Sequence, residues 1–120
     1  MKILVVDDSA IMRKLVTRSI RQAGFGDAEV IEAEDGAIAL EVAASQLPDV
    51  ILADWNMPVM TGIEMLRELR ASGDMVRVGF VTSESTTAIK TMAEEAGASF
   101  FLSKPIDKVE LEDVLNAVRV

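Results

Sequence analysis

Short apolar runs alternate with amphipathic stretches along the whole chain. Residues 3–6 (Ile-Leu-Val-Val), 50–53 (Val-Ile-Leu-Ala) and 76–82 are apolar almost throughout, the pattern of strands buried on both faces. Residues 28–33 alternate instead, as an edge strand does, and residues 100–102 (Phe-Phe-Leu) make a short fifth strand. Phe100 and Phe101 are consecutive, so their rings take opposite faces. Helical spacing fills the intervals. Ser9 caps a first helix whose inward stripe is Ile11, Leu15, Val16, Ser19, Ile20 and Ala23, with Arg13, Lys14, Arg18 and Arg21 elsewhere. Asp35 caps an Ala-rich helix to about Ala44. A third helix, from about Ile63 to Ala71, turns Ile63, Leu66 and Leu69 inward. A fourth runs over about residues 86–96, with Ile89, Met92, Ala93 and Ala96 on one side. A fifth follows Asp107, with Leu111, Val114, Leu115 and Val118 inward.

A β-α unit repeated five times with short connections predicts an α/β fold. It is a single doubly wound, five-stranded parallel sheet with helices on both faces. At 120 residues the chain fits one domain, 1–120. Half the residues are apolar and only 4% aromatic, so the core is aliphatic. The formal charge of −8 argues against direct nucleic-acid binding, which depends on cations neutralising phosphates. With no histidine and no cysteine, imidazole catalysis, thiolate chemistry and disulfides are excluded, and any metal must be a hard cation held by oxygen. No apolar run approaches the ~20 residues that span a bilayer, and Met1-Lys2 leads into only a brief apolar run before two aspartates. A cytoplasmic protein without membrane insertion is expected.

The strand ends carry the chemistry. The first strand ends in Asp7-Asp8, the third in Asp54, the fourth in Thr82 and the fifth in Lys104. In a parallel sheet these ends share one edge, where ligands of open α/β folds bind. The second strand is expected to contribute nothing there. Three carboxylates in one crevice repel unless a cation intervenes, and an all-oxygen site that keeps several waters suits Mg²⁺. Carboxylates, Mg²⁺, the Lys104 ammonium and the Thr82 hydroxyl together fit one phosphoryl group. Asp54 can serve as its nucleophile, since carboxylates form aspartyl-phosphates.

The motifs Val5-Val6-Asp7-Asp8-Ser9, Asp54-Trp-Asn-Met-Pro58 followed by Thr61-Gly62, Val81-Thr82, Gly97-Ala98 and Lys104-Pro105 occur in order along the chain. Through them the sequence resembles response-regulator receiver domains of two-component signalling, nearest in pattern to the stand-alone chemotaxis regulators. The resemblance, rather than the periodicity, brings the flavodoxin-like strand order 2-1-3-4-5. It implies that Asp54 is phosphorylated by a histidine kinase or phosphotransfer domain. Mg²⁺ would be held by Asp8, Asp54 and the Asn56 carbonyl, with Asp7 acting through water. Lys104 would bind the phosphoryl group, and Thr82 and Phe101 would switch. Asn56 and Glu84 would tune autodephosphorylation. A downstream protein target would be engaged through helix 4, strand 5 and helix 5, and the unphosphorylated chain would be a monomer. Phe101 replaces a frequent Tyr of the family, which removes a hydroxyl from that switch.

Other readings stand beside this one. The chain fits a receiver from a longer transcriptional regulator as well as a stand-alone regulator. A phosphohydrolase using an aspartyl-phosphate needs an acid/base carboxylate soon after the nucleophile, and Trp55-Asn-Met-Pro58 offers none. The expectation is therefore a signalling domain that undergoes only its own phosphorylation and dephosphorylation, rather than an enzyme.

Overall fold

The computed structural model describes residues 1–84 and 86–119. Its elements are β1 (Lys2–Val6), α1 (Ala10–Gln22), β2 (Glu29–Ala33), α2 (Gly36–Gln46), β3 (Val50–Ala53), α3 (Gly62–Ala71), β4 (Arg77–Thr82), α4 (Thr87–Glu95), β5 (Phe100–Ser103) and α5 (Lys108–Arg119). All pairings are parallel, and the order is β2-β1-β3-β4-β5, as expected.

Side-chain alternation divides the core into two layers. Leu4, Val6, Ile51, Ala53, Val78 and Phe80 face one side, covered by α2, α3 and α4 through Ala39, Ala43, Leu66, Leu69 and Ala93. Ile3, Val5, Val50, Leu52 and Val81 face the other, covered by α1 and α5 through Val16, Ile20, Leu111 and Leu115. Phe100 packs on the second layer and Phe101 on the first, and both are half-buried. The Phe100 ring lies over Gly79, where a Cβ would come within 1.9 Å of it.

Local signals explain most boundaries. Ser9, Asp35, Thr61 and Thr86 each accept an N–H from the first turn of their helix, satisfying donors that lack a helical partner. Thr61 and Glu64 complete a reciprocal capping box. Helix α2 runs past Ala44 to Gln46 because Leu47 takes a left-handed cap at φ 49°. Two predicted helix faces are corrected. On α1, Val16 and Ile20 are buried, whereas Ile11 is 72% and Leu15 48% exposed. On α4, only Ala93 is fully buried and Met92 stays exposed.

Candidate functional site

Register brings the strand-end residues together. Val6 pairs with Ala53, so Asp7 and Asp54 emerge side by side one step beyond, and the Asp54 N–H donates to the Val6 carbonyl at 2.9 Å. Thr82 pairs with Ser103, and the Lys104 N–H donates to the Thr82 carbonyl at 2.9 Å. Oxygen atoms of Asp7, Asp8 and Asp54 lie within 4.8 Å of one another. Asp7 is buried, Asp54 half-buried and Asp8 exposed, so the group opens outward through Asp8. Lys104 Nζ sits 3.2 Å from Asp7 Oδ2 and 3.5 Å from Asp54 Oδ2. One ammonium facing three carboxylates leaves the crevice with a net double negative charge. The donor set is all oxygen, which fits a hard divalent cation such as Mg²⁺.

The Asp54 carboxylate is held and perturbed at once. The Trp55 N–H donates to its Oδ1 at 2.8 Å. Burial pushes its pKa above the ordinary value of 3.8; the Lys104 ammonium opposes this, the Asp7 charge adds to it, and the Trp55 N–H and Thr82 hydroxyl oppose it. Desolvation therefore outweighs the ion pair when no metal is bound.

The remaining predicted residues frame this centre. Thr82 is buried and its hydroxyl accepts the Glu84 N–H at 3.2 Å. The Asn56 side-chain amide donates to the Glu84 carboxylate, bridging the loops after β3 and β4 outside the carboxylate group. Phe101 lies 6.5 Å from the Trp55 ring and 6.4 Å from Phe80, and Trp55 meets Phe80 edge-on at 5.0 Å. Aromatic rings thus run from the residue after Asp54 to β5.

Several supporting residues have packing roles that the sequence alone does not show, although Gly62 stands in a motif. Gly62 lies so close beneath the site that a Cβ there would stand 2.4 Å from the Asp54 carbonyl oxygen. Val59 has φ +67° and is 82% exposed. The Met60 N–H donates across it to the Pro58 carbonyl at 2.7 Å, a tight three-residue turn that strains a β-branched residue. The second strand adds no carboxylate to the converging group, as expected, yet it supports the site from outside. The Ala33 carbonyl accepts the Asp7 N–H at 3.2 Å, and Glu32 pairs at 2.9 Å with Arg13, whose Nη1 donates to the Asp7 carbonyl at 2.7 Å. An Arg on an amphipathic helix and a Glu on an edge strand carry no signal that they meet.

Comparison with known proteins gives a consistent picture. The family model of the response regulator receiver domain matches residues 3–116. Chemotaxis protein CheY of Pseudomonas aeruginosa is 36% identical over 120 residues, covering 98% of this chain and 95% of that one. Chemotaxis protein CheY-3 of Vibrio cholerae serotype O1 is 34% identical, covering 98% and 91%. Among solved structures, Vibrio cholerae CheY4 superposes with a TM-score of 0.84 at 35% identity, covering 98% of this chain and 97% of that one. The signal receiver domain of the putative response regulator NarL from Mycobacterium tuberculosis gives 0.87 at 33% identity, covering 98% and 95%. With a parallel sheet ordered 2-1-3-4-5 and acidic strand ends meeting beside a lysine, this chain belongs to the response regulator receiver family, as a CheY-like domain of two-component signalling.

Proposed function

We propose that Asp54 is the phospho-acceptor of this receiver, taking its phosphoryl group from the phosphohistidine of a histidine kinase or phosphotransfer domain. The observation that carries the reading is the meeting of the Asp7, Asp8 and Asp54 carboxylates beside Lys104 Nζ. One Asp54 oxygen bonds to phosphorus as the bond from phosphorus to the donor imidazole nitrogen breaks, and the imidazole leaves with the electron pair. Such transfer depends on positioning and charge neutralisation more than on covalent help from the protein. The Trp55 N–H orients the carboxylate, and Lys104 meets the transferred group. Asp8, Asp54 and the Asn56 carbonyl would hold Mg²⁺, with Asp7 acting through water; when bound, the ion supplies charge neutralisation at the transferring group.

The acyl phosphate carries roughly 1.5 to 2 negative charges where the ionised carboxylate carried one, and adds strong acceptors, which draw Lys104 and the Thr82 hydroxyl inward. Thr82 follows Val81 and pairs with β5, so this movement shifts the balance between two states of α4, β5 and Phe101. The downstream protein target then reads the α4–β5–α5 face. Asn56 and Glu84 border the mouth of the site and set the lifetime of the phosphorylated state. The donor has a separate approach. Exposed Leu15 on α1 lines a groove of about 330 Å³ together with Met12, Arg18, Lys104, Pro105 and Ile106, next to the lysine that meets the phosphoryl group. The phosphorylated domain is itself the output, and no substrate is turned over.

The test is spectroscopic. Trp55 is nearly buried and donates to the Asp54 carboxylate, so Mg²⁺ followed by beryllofluoride should change its fluorescence. Asp54→Asn should abolish the beryllofluoride response. A wild type that gives no response, or a variant that responds equally, would remove Asp54 from this role.

A further inference from the structure

We propose that Arg13 and Glu32 form a clamp that positions Asp8 for the metal, making Arg13 a positioning residue of the phosphorylation site. Residue Asp7 is fixed at every polar atom. Its N–H reaches the Ala33 carbonyl at 3.2 Å, its Oδ1 accepts the Ser9 N–H at 2.9 Å and its Oδ2 meets Lys104 at 3.2 Å. The last atom, its carbonyl oxygen, accepts Arg13 Nη1 at 2.7 Å. That carbonyl belongs to the peptide joining Asp7 to Asp8, and the peptide is planar. Holding the oxygen therefore sets the direction in which Asp8 leaves the chain. Asp8 needs such help. It is exposed, and among the described residues its carboxylate takes part in no hydrogen bond or ion pair, although it is one of the three converging carboxylates.

Glu32 completes the device. Arg13 is 16% exposed at its side chain, and its Nε donates to Glu32 Oε1 at 2.9 Å. One guanidinium thus spans from β2 to the end of β1, a two-point contact that a lysine cannot reproduce. Glu32 also offsets the Arg13 charge, which would otherwise oppose a divalent cation nearby. Partners that orient a metal ligand in this way commonly change metal affinity by ~10–100-fold when removed.

The inference rests on the assignment of Asp8 to the metal, and one set of titrations separates the two. Mg²⁺ alone is titrated against Trp55 fluorescence in the full chain. Arg13→Met and Arg13→Lys should each raise the Kd about tenfold, and Glu32→Gln should raise it by a smaller factor. The Arg13→Met/Glu32→Gln double variant should be no worse than Arg13→Met alone. In an Asp8→Asn background, Arg13→Met should cause no further loss, because its effect passes through Asp8. A general structural role would lower affinity in either background. Tighter Mg²⁺ binding by Arg13→Met, wild-type affinity in Arg13→Lys, or an undiminished loss in the Asp8→Asn background would each overturn the clamp. If Asp8→Asn itself bound Mg²⁺ like the wild type, the metal assignment would fall instead.

Discussion

Replacing Gly62 with alanine sets helix propensity against packing. Gly62 is the first residue of α3, and alanine in a helix interior is favoured over glycine by up to about 1 kcal/mol. Packing points the other way. The new Cβ would stand 2.4 Å from the Asp54 carbonyl oxygen and 2.7 Å from Phe80 Cε1. Neither obstacle is a flexible side-chain tip. The Asp54 backbone is tied to Val6 at 2.9 Å, the Gly62 N–H is tied to the Trp55 carbonyl at 3.0 Å, and Phe80 is fully buried. Added atoms in a packed site cost ~1–3 kcal/mol, and rigid neighbours put this one at the upper end. The balance is a loss of about 1–2 kcal/mol, a fall in Tm of roughly 3–8 °C for a domain of this size. Relief requires the Asp54 backbone to shift, so beryllofluoride affinity should fall as well. Urea unfolding should show a lower midpoint at constant m-value. Gly26→Ala, where a Cβ meets nothing within 4 Å, is the control. A Gly62→Ala variant as stable as the wild type, with unchanged ligand response, would refute the packing argument.

Other outcomes follow from the same geometry. The Asp54 pKa is raised by burial above its ordinary 3.8, so its contribution to metal-free stability is present below that value and lost as pH rises through the raised one. In EDTA, Asp54→Asn should therefore gain stability relative to the wild type as pH rises from 3 to 7, and added Mg²⁺ should narrow the difference; a gap independent of pH would contradict the shift. Val59→Asn should stabilise by about 1 kcal/mol, because the left-handed backbone strains valine and tolerates asparagine, and the exposed valine has little packing to lose; thermal unfolding measures it. Leu15→Asp should slow phosphoryl transfer from a phosphotransfer partner by tenfold or more while leaving labelling by acetyl phosphate unchanged. Equal slowing with both donors would place the defect at the site rather than at docking.

Residues 50–53 were read from sequence with their observed bounds, because an unbroken apolar run between turn residues admits few alternatives. The strand-end set was legible for a related reason: a parallel sheet collects its strand ends on one edge whatever their order. Helix α1 was legible only in part. Periodicity identifies an apolar stripe, yet Ile11 and Leu15 lie beyond the reach of the sheet, and a stripe left bare has the same spacing as one that is covered. Contacts such as Arg13 with Glu32, or Gly62 with the Asp54 carbonyl, depend on how separate elements pack. One sequence holds no trace of that distance.

The strand order has a consequence for how motion is distributed. Asp54 directly follows β3, which is hydrogen-bonded on both sides, to β1 and to β4, whereas β5 is an edge and α4 anchors itself through a single fully buried residue, Ala93. Amide protons of β1 and β3 should accordingly exchange only through global opening, and those of α4 and β5 through smaller local fluctuations. On the function proposed above, the chemistry then occurs beside a strand paired on both sides and is read at an edge that is less firmly held. Phosphorylation can be heard at the edge while the centre keeps its shape.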